Sequence, residues 1–229
     1  MAKLDPKRAY LIPHLIILNS LCSDAKNSFS IITNSISELS KPHVKPSDNI
    51  PDFRSQDRKD DQREKLSKSY SRVGILSFVS ICAIISNMVW PAEANKEPTK
   101  TMNKTRKRYL KKFFPKKCFS TINNRDFRNF LSHVDERLDL WGSTTSTKGG
   151  IAINTIGLSK QNIGKTTMWN NLDPNTLIMT YIGLKNRSRR VDLKKLNLEV
   201  IKLRTRIPKA LVDIYNAKNL HLFDYLLDD

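Results

Sequence analysis

The chain of 229 residues carries 40 Lys+Arg against 22 Asp+Glu, a formal charge of +18 and a pI near 9.9. Only 7 glycines and 3 cysteines, with 39% hydrophobic residues, exclude a collagen-like chain, a disulfide scaffold and wholesale disorder. The positive excess calls for a polyanionic partner, nucleic acid or an anionic membrane surface, unless the lysines merely solvate the protein.

The N-terminal stretch from Met1 to Leu21 imitates a signal peptide, with Lys3, Lys7 and Arg8 ahead of an apolar run. Pro13 and His14 interrupt that run and no small-residue cleavage site follows, so no signal peptide is expected. The first helix is expected from Leu15 to Leu39. Leu18, Leu21, Ala25, Phe29, Ile32, Ile36 and Leu39 recur at three- and four-residue spacing. Lys41–Pro51 reads as a loop, and Asp52–Lys68 as a charged, solvated helical lead-in. Val73–Trp90 spans 18 residues without a charge, the lower edge of membrane-span length. Three serines, Gly74 and Asn87 moderate it, and the favoured reading is the central helix of a bundle or a subunit interface, apolar nearly all round. Pro91 ends it.

After a polar linker, Lys104–Lys117 packs eight Lys/Arg into fourteen residues without an acid. The sharpest amphipathic pattern follows from Asn123 to Trp141, with Phe127, Phe130, Leu131, Val134, Leu138 and Trp141 on one stripe and Gly142 at its end. Gly150–Gly157 and Asn175–Gly183 read as short β segments separated by polar turns at Asn170, Asn171, Asp173 and Pro174. Val191 ends a third strand. Asp192 is placed to cap a helix bearing Leu193, Leu196, Val200 and Leu203, and a last helix starts at Pro208.

Gly157 and Gly164-Lys165-Thr166 suggest a phosphate loop, but six residues separate the glycines where such a loop needs four. A polar turn is the better reading. Cys22, Cys82 and Cys118 are too far apart for a CxxC knuckle and suit a reducing cytosol. His14, His43 and His221 lack suitably spaced partners, so neither metal nor cofactor is expected. No GxSxG elbow supports a serine nucleophile. Trp90, Trp141 and Trp169 read as core or interface aromatics.

In Lys104–Lys117, Tyr109, Phe113 and Phe114 interleave with Arg106, Arg108, Lys111 and Lys112. Cations that neutralise phosphates beside aromatics that stack on bases suit single-stranded RNA. The competing reading packs the aromatics inward and leaves only the cations in solvent. Lys185–Arg190 is a second basic run that extends the same field.

The helix expected at 123–141 is the candidate to carry chemistry, against the reading in which its Arg and His only form surface ion pairs. At 100° per residue, Arg128 and His133 lie about 140° apart and flank a polar face filled by Asn129, Ser132 and Glu136. Histidine takes and returns protons near neutral pH, and arginine offers a fixed fork to a phosphate gaining charge. Together they suffice for metal-free RNA cleavage by attack of the 2′-hydroxyl on the adjacent phosphorus.

Arg128-Asn129-Phe130-Leu131-Ser132-His133 resembles the R-x4–6-H motif of the HEPN superfamily. The blocks Ile85–Pro91, Arg128–Trp141 and Leu172–Gly183 are also similar to those of bacterial HEPN-like proteins, in the same order. The resemblance covers roughly Tyr70 to Leu203. It implies a mainly α protein, with a HEPN-like helical bundle over 1–142 (its loop and charged lead-in at 41–67) and a small α+β extension over 143–229. It further implies a cytoplasmic, homodimeric, metal-independent endoribonuclease of a bacterial defence or toxin–antitoxin system, with a cognate antitoxin as partner. Arg128 and His133 would be the catalytic pair, Asn129 would orient them, and Asp135 and Glu136 would support them. Arg106, Arg108, Lys111 and Lys112 would guide RNA. Some members of the superfamily are non-catalytic scaffolds, so an RNA- or protein-binding dimerisation module is the alternative. A protein held at the membrane by Val73–Trp90 is a further one.

Overall fold

A computed structural model describes residues 9–41, 53–92, 96, 98–124, 126–127, 129, 150–152, 155–156, 166–168, 170–182 and 188–215. These residues are mostly helical, with a small sheet. Helix α1 (Leu11–Leu39) and helix α2 (Phe53–Val89) form a long antiparallel hairpin. Asn34 and Glu38 near the end of α1 face Gln62 and Leu66 of α2, while Phe29 meets Phe78 with ring centroids 5.4 Å apart.

The α1 helix starts four residues before the position expected from spacing, because Pro13 falls in its first turn, where a missing N–H costs no hydrogen bond. Its buried stripe is Leu11, Leu15, Leu18, Cys22, Ala25, Ser28, Ile32 and Ile36. Leu21, Phe29 and Leu39, which the spacing had placed on that stripe, are only half-buried. Small residues set the interhelical distance. A Cβ on Gly74 would lie 3.0 Å from Ile32 Cγ1 and 3.2 Å from Ile31 Cγ2, so the hairpin closes tightly there only because that side chain is absent.

The charged lead-in and the apolar segment are one continuous helix, α2, which gives way at Trp90 and Pro91. Phe78, Val79, Cys82, Ile85 and Val89 are buried. Of the two expectations for the apolar segment, the central helix of a bundle needs correction, because one side is uncovered within the chain. Leu66, Tyr70, Val73, Leu76 and Ile84 are each about half exposed, because α1 and the core cover only one side. Asp61–Val89 is long and apolar enough to cross a membrane by length and composition, although a core helix passes the same test.

Helix α3 (Thr99–Leu110) leads through a turn and a single 3-10 turn (Lys116–Cys118) into Phe119. Trp90 donates its indole N–H to the Phe114 carbonyl at 3.2 Å and packs on Phe119.

Six short strands follow: β1 (Gly150–Ala152), β2 (Thr155–Ile156), β3 (Thr166–Met168), β4 (Asn170–Asp173), β5 (Ile178–Ile182) and β6 (Ser188–Asp192). Strands β4, β5 and β6 run antiparallel as neighbours, with β2 parallel to β4 at the edge; β1 and β3 form a separate parallel pair. Asn170, Asn171 and Asp173 were expected in turns. Instead they pair with Tyr181, Thr180 and Ile178, and cross-strand pairing overrides their turn propensity. The turn proper is confined to 174–177, where Asp173 Oδ1 accepts the Asn175 N–H at 3.0 Å and Leu177 adopts a φ of 57°.

Helix α4 (Leu193–Arg204) is capped as expected, the Asp192 carboxylate accepting the Lys195 N–H at 2.9 Å. Helix α5 (Ile207–Tyr215) follows at once. Both pack on α1, and Leu193, Leu196, Val200, Leu203, Leu211 and Ile214 join the same core cluster as the hairpin. That shared core positions α3 and the segment that leads into the Arg–His motif.

Candidate nucleic-acid interface

On α3 the inward face is settled by its aromatics. Tyr109 and Leu110 are buried, and Phe114 is fully buried just beyond the helix. The Tyr109 hydroxyl lies 3.0 Å from the Ala210 carbonyl and 2.9 Å from Asp213 Oδ2, which ties α3 to α5. Phe113 is half-buried and stacks at a tilt on Tyr109. The inward-packing reading is therefore the correct one, and the aromatics do not stand out to receive bases.

The cations separate by the same geometry. Arg106 is half-buried, donates to Asn103 Oδ1 at 3.1 Å, and burial holds its guanidinium below the usual arginine range. Lys112 is exposed but ion-paired to Asp213 at 2.8 Å. Arg108 and Lys111 are exposed without a carboxylate partner among the described residues. They share a face with Lys100, Lys104 and Lys107, which composition alone does not single out. At 100° per residue these five fall within an arc of about 100°, opposite the buried Tyr109 and Leu110. No acidic residue occurs anywhere on α3.

The segment entering the motif is fastened to the core at two points, with a local cap between them. Glu199, buried on α4, accepts the Thr121 N–H at 3.0 Å and the Ile122 N–H at 2.8 Å. Asn124 Oδ1 then accepts the Asp126 N–H at 2.9 Å, as a helix N-cap does. Finally, Phe127 is buried edge-on against Tyr181 of β5, and Asp126 Oδ2 accepts from Arg189 Nε of β6 at 2.9 Å. Asp126, Phe127 and Asn129 are helical, with Asn129 half-buried. Arg128, His133, Asp135 and Glu136 lie outside the described residues, as does the remainder of the expected helix to Trp141.

The chain matches no family model, no curated protein and no solved structure.

Glu199, which holds this segment, has little signature in the sequence beyond an acid three residues after Leu196 and one before Val200, on the apolar stripe of α4. Among the described residues no group of three or more His, Cys, Asp and Glu side chains could hold a metal ion. Nor do buried thiols offer a nucleophile: burial pushes Cys22 up to about 12, and Cys82 is raised by burial as well.

Proposed function

We propose that the chain is a HEPN-like, metal-independent endoribonuclease that works as a homodimer in the cytoplasm. It would serve a bacterial defence or toxin–antitoxin system, with an antitoxin as its natural partner. In this reading His133 moves the proton of the attacking 2′-hydroxyl and Arg128 stabilises the charge gathering on phosphorus. Asn129 orients the pair, and Asp135 and Glu136 support it. The observation that carries the reading is the fastening of the motif's approach. Glu199 and Phe127 fix the chain on the core immediately before Arg128, and Asn124 caps the turn between them, as a site needing a rigid base requires. The test is incubation of the purified protein with RNA in excess EDTA. Cleavage is expected to continue undiminished, and cleavage lost on chelation and restored by added magnesium would overturn the reading.

A second reading, a non-catalytic dimerisation module, draws on the uncovered side of α2 alone. From Val73 to Asn87 its exposed positions are Val73, Leu76, Ser77, Ser80, Ile84 and Asn87, none of them charged on a chain of net +18. Such a face suits a second copy, since two strongly positive chains meet most easily where charge is absent. The catalytic and scaffold readings share this dimer. Replacing Tyr70 and Val73 with aspartate is expected to convert a dimer to a monomer by light scattering, with the melting temperature of the fold kept. A wild-type protein that is already monomeric would contradict it.

A further inference from the structure

The stripe on α3 combines two properties that together specify its ligand. Lys100, Lys104, Lys107, Arg108 and Lys111 repeat along the helix at three- and four-residue steps, so positive charge recurs over about 16 Å at 1.5 Å per residue. Four of the five are exposed and Lys107 is half-buried, and none has a carboxylate partner among the described residues. The neighbouring aromatics, by contrast, are engaged within the protein. Tyr109 is held by Ala210 and Asp213, Phe114 lies against Phe119 in the core, and the half-buried Phe113 packs on Tyr109 with Lys112 over its ring. The surface thus offers charge at regular intervals and withholds the rings on which unpaired bases would stack.

Proteins that grip single strands pair a positive groove with aromatic platforms. A base-paired nucleic acid keeps its bases stacked inside and shows the protein mainly phosphates and sugars. The same stripe is poorly suited to lipid insertion, because Tyr109 and Leu110 on the opposite side of α3 are buried and the exposed Met102 also faces away from the charges, so no apolar edge flanks them. We propose that the exposed face of α3 is a rail for the phosphodiester backbone of base-paired nucleic acid, base-paired RNA in the reading above. It recognises backbone and charge, not base sequence. The inference rests on the RNA reading for its choice of RNA over DNA, but not on the Arg128–His133 chemistry.

The test measures binding of the full chain to labelled duplex RNA, single-stranded RNA, duplex DNA and phosphatidylserine vesicles over a range of salt. His133→Ala is included so that cleavage does not confound binding. Duplex RNA is expected to bind at least as tightly as the other three, with little dependence on base sequence. Its affinity should fall steeply with salt, with a log–log slope of about −4 for five phosphate contacts. The variant Lys104→Glu/Arg108→Glu/Lys111→Glu should lose at least 30-fold in affinity and flatten the slope by about 3. A control, Lys194→Glu/Lys195→Glu/Lys202→Glu, changes the net charge equally at exposed sites on α4 and should lose less than 3-fold. Melting temperatures verify that both variants fold. Equal losses in the two variants would overturn the rail by showing a mere net-charge effect. Preference for single strands or for vesicles would overturn it as well, whereas preference for duplex DNA would keep the rail and overturn the RNA reading. Retained RNA binding by a His133→Ala protein beside a wild type that cuts nothing would reject the nuclease and leave the rail standing.

Discussion

Replacing His133 with alanine is expected to lower the rate of RNA cleavage by about 100-fold to 10,000-fold, the usual contribution of a positioned general acid–base. The melting temperature should hold, since His133 falls off the apolar stripe formed by Phe127, Phe130, Leu131 and Val134. Binding of RNA should also hold, because the cations of α3 supply it. Arg128→Lys should be a milder loss: it keeps the charge but gives up the planar fork that meets two phosphate oxygens at once. A series in which His133→Ala cuts RNA at the wild-type rate would remove the imidazole from the mechanism.

The second large effect is expected from Glu199→Ala, and it falls on stability. The buried carboxylate accepts the backbone N–H groups of Thr121 and Ile122, and alanine would leave the buried Ile122 donor and the half-buried Thr121 donor without a partner. A buried orphaned donor costs about 1–3 kcal/mol and a half-buried one less, so a loss of about 2–4 kcal/mol is expected in chemical denaturation. Glu199→Gln retains one carbonyl oxygen and should recover part of that loss. Because Thr121 and Ile122 lie just ahead of the Asn124 cap, the alanine variant should also cut less RNA at temperatures where it remains folded. A melting curve unchanged by the alanine would show that the segment before the motif is held by other contacts.

These two residues mark how differently fold and site show themselves in the chain. The helices α1, α4 and α5 are legible because apolar residues recur every three or four positions, and Asp192 is legible as a cap because a short acid stands just before such a pattern. Strand β4 is not legible. Asn170, Asn171 and Asp173 are turn formers, and their strand state comes from β5, which follows them in sequence. The one-sidedness of α2 is hidden for another reason. An apolar run has no face to read, and only the arrival of α1 against Gly74 and Phe78 decides which side is covered.

At the site, composition finds the basic segment but cannot orient it. Tyr109, Phe113 and Phe114 are as compatible with base stacking as with core packing until Ala210, Asp213 and Phe119 are seen to take them. Arg106 and Lys112 likewise leave the exposed stripe only once Asn103 and Asp213 are in place, whereas Lys100 joins it from outside the densest charge run. Glu199 shows the reverse failure: a charged residue on an apolar stripe invites dismissal as surface, and its partners lie 77 and 78 residues away.

Cleavage of RNA through the imidazole of His133 and the guanidinium of Arg128, with the 2′-hydroxyl as nucleophile, leaves characteristic ends. The most direct measurement is the chemical identity of the ends left on an RNA cut by the wild-type protein. The account predicts a 2′,3′-cyclic phosphate on one fragment and a free 5′-hydroxyl on the other. Fragments ending in a 3′-hydroxyl and a 5′-phosphate would contradict it, because they require water, not the ribose, to have attacked the phosphorus.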